Sequence, residues 1–181
     1  MNAIRTIAAT GSTITIKPLT EADRASARLF VKALSKESIR QRLGGGSVNF
    51  SEEHLTLILQ NSFGPDCVLG AFDSEDRLCG IARYARATEF CAEFAVIVSD
   101  DRKNQGIATK LLIEIESLAR SFGYRVMSAQ TLHTNLPMRR LANRMGYAAA
   151  MDPLDNMTLL LSKTLSEKTG RMFGSRQLQD D

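Results

Sequence analysis

Two stretches of the chain hold groups with chemical potential. The first is Val96-Ile-Val-Ser-Asp-Asp-Arg-Lys-Asn-Gln-Gly-Ile-Ala-Thr-Lys-Leu-Leu112, where an apolar run ends in a charged turn and a Gly-Ile-Ala step opens a helical period. A strand, a loop and a helix start in that order expose free backbone N–H groups, which suit a phosphate or a diphosphate. Gly106 and Ala108 are small enough for a ligand to approach the backbone, and Arg102, Lys103 and Lys110 add positive charge. Neither GxxxxGKS/T nor GxGxxG occurs, which excludes a P-loop and a Rossmann nucleotide site. The same small residues also suit plain close packing of a helix on a strand.

The second is Glu93, which interrupts the otherwise apolar run Phe90 to Val98, thirteen residues before Gly106. A carboxylate in a central strand costs free energy unless it is hydrated, paired or used. It has two readings at this level. One is a strand-edge glutamate reaching solvent or an ion pair with Arg83 or Arg86. The other is a general base beside the socket, its pKa raised by partial burial.

These groups need elements to hold them. Thr13-Ile-Thr-Ile-Lys-Pro-Leu19 alternates as a half-buried strand, and Thr20-Glu-Ala-Asp23 resembles a capping box that starts a helix packing Ala27, Phe30, Val31 and Leu34. A short helix with Ile39 and Leu43 follows Ser35. Gly44-Gly-Gly-Ser47 then breaks regular structure, and a helix with an acidic first turn starts near Ser51. Cys67–Phe72, Leu78–Tyr84 and Phe90–Val98 read as an antiparallel meander, its first turn at Asp73-Ser-Glu-Asp76. From Gln105 the period is helical through Ile107, Leu111, Leu112, Ile115, Leu118, Ala119 and Phe122, with Gly123 as its C-terminal stop. Tyr124–Ala129 is a strand, Met138–Met145 a helix capped by Asn135, and Asn156–Ser162 a last strand. Together they predict an α/β fold, a mixed central sheet flanked by helices. Residues 1–12 are expected as a flexible leader, 13–163 as a single domain and 164–181 as a disordered tail.

Composition narrows the function. The 181 residues carry a net charge of +3, too little for a nucleic-acid stripe. No apolar run has membrane-helix length, and the first residues lack a signal-peptide pattern. Cys67, Cys79 and Cys91 are odd in number, have no CxxC spacing and gain little from His54 and His133, so no metal site is expected. Reduced, buried cysteines in a cytoplasmic protein are the expectation, their spacing of twelve reflecting three neighbouring strands.

With these residues in place, a resemblance can be stated. Glu93 to Leu112, followed by Thr134-Asn-Leu-Pro-Met-Arg-Arg-Leu-Ala-Asn-Arg-Met-Gly-Tyr147, resembles the GNAT superfamily of acetyl-CoA-dependent N-acetyltransferases. Lys103, Gly106 and Ala108 match its pyrophosphate loop, and Asn135 an asparagine that contacts coenzyme A. The similarity runs over residues 13–162 and is strongest to the acetyltransferase domain of bacterial protein-lysine acetyltransferases. It implies acetyl-CoA in a splay between two parallel strands, around Phe94–Val98 and Tyr124–Ala129. The pyrophosphate would lie on the amides of Asn104, Gln105, Gly106, Ile107, Ala108 and Thr109. N–H groups of the segment Val96, Ile97 and Val98 would hold the pantetheine and polarise the thioester. Glu93 matches the subgroup's catalytic glutamate. The implied partners are acetyl-CoA and an amine acceptor, a small molecule or a protein lysine, with neither nucleic acid nor membrane and a homodimer among the options. The sequence departs from the family in having Ala142 where many members carry a thiolate-protonating Tyr, with Tyr147 expected as packing. It also has Lys103 where Arg or Gln is usual. An acyl-CoA-binding sensor without turnover is the alternative to an enzyme.

Overall fold

The computed structural model describes residues 5–9, 12–42, 55–56, 59 and 64–165. Eight strands form one sheet: β1 (Arg5–Ala9), β2 (Ser12–Pro18), β3 (Cys67–Phe72), β4 (Leu78–Arg86), β5 (Cys91–Val98), β6 (Val126–Leu132), β7 (Ala148–Asp152) and β8 (Asp155–Thr164). Their order across the sheet is β1-β2-β3-β4-β5-β6-β8-β7, and every neighbouring pair is antiparallel except β5 with β6. The described helices are α1 (Arg24–Ala33), α2 (Lys36–Arg42), α3 (Ile107–Ser121) and α4 (Leu136–Arg144), with Leu55, Thr56 and Leu59 also helical. The mixed sheet flanked by helices is the expected class. The meander of β3, β4 and β5 has the expected order, with one cysteine on each strand.

Two apolar layers form because strand side chains alternate between faces. Phe94, Val96 and Val98 of β5 face the layer built on Ile107, Leu111, Leu112 and Ile115 of α3 and Leu141 and Ala142 of α4. Ile97 faces the other layer, with Ala27 and Phe30 of α1, Ile39 of α2, and Leu55 and Leu59. At about 1.5–3 kcal/mol per fully buried aliphatic side chain, the α3 stripe alone supplies a large share of the stabilisation. Asp23 accepts from both the N–H and the hydroxyl of Thr20, so the capping box forms. Phe122 departs from the predicted stripe: the helix has ended before it, and the ring is exposed.

Residues 5–9 do not behave as a leader. They pair with β2 from Arg5↔Ile16 to Ala9↔Ser12, so backbone hydrogen bonding orders a segment whose short apolar pattern gave no strand signal. β7 likewise has no counterpart among the expected strands. Its residues Ala148 to Met151 are all exposed and carry no alternation to detect. The Gly44–Gly46 break, Glu52, Glu53, His54 and the tail beyond residue 165 lie outside the described residues.

Candidate active site

The site begins with a strand pair that opens. β5 and β6 are partnered over Cys91↔Val126, Ala92↔Met127 and Glu93↔Ser128, and the pairing ends there. Beyond it β5 stays bonded to β4 as far as Gly80↔Val98, while β6 stays bonded to β8 as far as Leu132↔Thr158. The two strands therefore diverge as a fork with its vertex at Glu93 and Ser128.

Hydrogen-bond parity shows which backbone groups enter the fork. Ala87 N–H donates to Cys91 O at 2.9 Å and Ser99 N–H donates to Cys79 O at 2.9 Å, and the register between them is unbroken. In an antiparallel ladder these groups alternate sides. Those of Cys91, Glu93, Ala95, Ile97 and Ser99 point to β4. Those of Phe94, Val96 and Val98 point toward β6 and so into the fork. Of the three expected backbone donors, the N–H groups of Val96 and Val98 point into the fork, whereas the Ile97 amide is turned to β4.

The wide end of the fork meets the loop from Ser99 to Gly106. Gly106 has φ +81°, a left-handed conformation that favours glycine, and a Cβ built there meets nothing within 4 Å. Its role is conformational rather than close packing. It caps α3 without a side chain, leaving the first-turn N–H groups of Ile107, Ala108 and Thr109 facing outward. A 15-residue helix adds its partial positive charge at this point.

The expected cations are differently placed. Arg102 donates to Asp73 Oδ2 at 2.7 Å, across to the β3–β4 turn. Lys103 Nζ donates to Asp100 Oδ1 at 2.6 Å and to Ser38 Oγ at 2.7 Å. Lys110 is absent from the cavity wall. Arg102 and Lys103 still reach the cavity wall with these partners in place.

A cavity of about 670 Å³ joins fork and loop. Glu93, Val96, Ile97, Val98, Lys103, Asn104, Gly106, Ile107, Ala108, Thr109 and Asn135 all contribute to its wall. Gln105 does not; its amide folds back to donate to Asp101 O at 3.3 Å. Asn135 is largely occupied by its own fold. Its Oδ1 caps α4 by accepting from Met138 N–H at 3.1 Å, and its Nδ2 donates to Thr131 Oγ1 at 3.0 Å. One lone pair and one N–H of the amide are left for a ligand.

Glu93 is exposed at the vertex, so the partial burial anticipated for it is not found. Glu93 is paired on both sides, with Ala85 of β4 and Ser128 of β6, so its exposure is that of the sheet face it stands on and not of an open strand edge. Ser38 and Gln41 of α2 reach the same cavity. Sequence reasoning missed them, together with Gln130 of β6 and Arg140 and Arg144 of α4. The two arginines are one helical turn apart, and that i, i+4 spacing was the available signal.

Neither tyrosine position offers an acid to this cavity. Ala142 is buried, and Tyr147 packs at 5.1 Å against the Phe94 ring and donates to Glu116 Oε1 at 2.9 Å. Burial and the neighbouring Glu116 push the Tyr147 hydroxyl far above the phenol range, as expected of a core residue.

Comparisons with known proteins agree with this geometry. Residues 32–147 match the profile of the Acetyltransferase (GNAT) family. An acetyltransferase of Pseudomonas aeruginosa is 29% identical over 154 residues, covering 83% of each chain. The GNAT domain of PAT from S. lividans superposes with a TM-score of 0.82 at 23% identity, over 89% of this chain and 96% of that one. The Salmonella typhimurium protein YncA, solved with its cofactor acetyl-CoA, gives a TM-score of 0.67 at 19% identity, over 87% and 96%. With the family profile spanning most of its length, this chain belongs to the GNAT family of acetyltransferases.

Proposed function

We propose that residues 13–163 form a single catalytic domain that transfers an acetyl group from acetyl-CoA to a primary amine, with a protein lysine as one acceptor class. The observation that carries this reading is Glu93 at the vertex of the fork, on the same cavity as the open amides of the α3 start. The diphosphate of CoA sits on the amides of Asn104 to Thr109, with the Lys103 ammonium beside it. The pantetheine arm runs up the fork along the Val96 and Val98 backbone, and a β5 N–H polarises the thioester carbonyl. Glu93 takes a proton from the substrate ammonium, directly or through water. The neutral amine attacks the carbonyl carbon, and the C–S bond of the tetrahedral intermediate breaks. CoA leaves as a thiolate, whose low thiol pKa tolerates departure without a tyrosine acid, while the extra proton left on nitrogen passes to water or to that thiolate. Free cysteines at 67, 79 and 91 suit a reducing, cytoplasmic setting.

Thiol release from acetyl-CoA, screened against small amines and lysine-bearing proteins, tests the reaction. Glu93→Gln should cut turnover by about 10²–10⁴-fold, the usual span of general-base catalysis, while CoA affinity is kept. Full activity of that variant on the true acceptor would remove Glu93 from its role. The absence of a tyrosine from the cavity wall favours one second reading, an acyl-CoA-binding sensor. That reading requires acetyl-CoA binding with no thiol release for any acceptor.

A further inference from the structure

A carboxylate with four hydrogen bonds, two of them from the cavity-lining Ser38 and Lys103, belongs to a residue outside the donor and base machinery. Asp100 lies just beyond β5, at the start of the diphosphate loop. Its Oδ2 accepts the Ser35 backbone N–H at 2.8 Å. Its Oδ1 accepts the Ser35 hydroxyl at 3.0 Å, the Ser38 hydroxyl at 2.8 Å and the Lys103 ammonium at 2.6 Å. Ser35 in turn caps α2, accepting the Ser38 N–H at 3.2 Å. Lys103 closes the ring by donating to Ser38 Oγ. Two chain segments about 65 positions apart are thereby fastened at one point. Burial opposes the charge on Asp100, but the Lys103, Ser35 and Ser38 donors outweigh it and hold the carboxyl well below the usual range, so the ring is charged at neutral pH.

The segments it fastens serve opposite sides of the reaction. Lys103 belongs to the loop that holds the donor's diphosphate. Ser38 and Gln41 extend from α2 into the cavity, and Ile39 of α2 packs on the face of β5 that also bears Ile97 and Glu93. An ammonium has three donors, of which Asp100 and Ser38 take two, and the third is left for a phosphate oxygen. We propose that Asp100 is a positioning residue: through Lys103 and the Ser35–Ser38 cap it ties α2 to the occupied diphosphate loop, so that donor binding rigidifies the acceptor side of the cavity. The idea rests on the acetyl-CoA reading of that cavity.

Amide hydrogen exchange over residues 36–42, with and without saturating CoA, reads the link without knowledge of the acceptor. Wild-type protein should exchange these amides about tenfold more slowly when CoA is bound, since local opening loses its anchor only when the ring breaks. Asp100→Asn should exchange fast in both states although calorimetry shows CoA bound. Lys103→Met, at CoA concentrations raised to saturate it, should keep the unliganded protection and gain nothing from CoA. CoA-dependent protection that persists in either variant would show that CoA touches α2 directly and would overturn the proposal, as would no CoA effect in the wild type. Failure of the wild type to bind CoA at all would instead sink the acetyl-CoA reading, and calorimetry separates the two.

Discussion

Gly106 and Gly123 stand at opposite ends of α3 and permit a matched experiment. Both have positive φ, +81° and +90°, and a Cβ at either meets nothing within 4 Å. Replacing either by alanine therefore incurs no collision with protein and only the left-handed strain, about 1–2 kcal/mol for an L-residue. For a domain of this size that corresponds to a fall in Tm of about 2–8 °C. The two alanine variants should melt alike without ligand. They should part company with ligand, because Gly106 lines the cavity and Gly123 does not. The space in front of Gly106 is where the diphosphate is placed, so a side chain there occupies the ligand's volume. Gly106→Val should raise the Kd for CoA at least about tenfold, a loss of about 1.4 kcal/mol or more, and Gly123→Val should leave it unchanged. Thermal melts paired with isothermal titration give both numbers. Wild-type CoA affinity in folded Gly106→Val would refute the placement of the diphosphate, and unequal melting of the two alanine variants would refute the strain argument.

Two further outcomes test roles assigned to buried groups. Tyr147→Phe deletes the hydroxyl that donates to Glu116, leaving that carboxylate with Lys163 at 2.7 Å, and should lower stability by about 1–3 kcal/mol without slowing transfer per folded molecule. A tenfold or greater loss of turnover with the fold intact, each decade about 1.4 kcal/mol in the barrier, would make Tyr147 catalytic. Asp73 accepts from the Glu75 and Arg77 amides and from the Arg77 and Arg102 side chains. Burial works against its charge, but the Arg77 and Glu75 donors hold its carboxyl below the ordinary 3.8. A depressed carboxylate stabilises the fold fully above that value, and the contribution is lost as pH falls through the folded pKa. Wild-type stability should therefore decline below about pH 4, and Asp73→Asn should be weaker at pH 7 with a shallower decline in acid. An unchanged acid limb in the variant would contradict this.

What could be read from the residues alone divides along a physical line. Helix α3 was legible because Ile107, Leu111, Leu112 and Ile115 repeat at helical spacing and all are buried. The start of α3 was legible because a local conformation, the positive φ of Gly106, makes it. Glu93's exposure was not, since nothing local in β5 says what packs over the face it shares with Ile97. Nor were the fates of Arg102 and Lys103, whose partners Asp73 and Ser38 come from other parts of the chain. β7 escaped because strand alternation marks a covered face, and Ala148 to Met151 have none.

The fork has a consequence for mutational robustness. The groups that Phe94, Val96 and Val98 turn into it are main-chain groups, and so are those of the α3 start. An alanine scan along β5 would leave every one of them in place. Within β5, a donor is lost from the fork only by a change that removes an N–H, such as proline at 96 or 98. The backbone groups in the fork can thus survive wide drift in the side chains of β5, whereas Glu93, Ser38 and Gln41 present side chains to the same cavity and change it with each substitution.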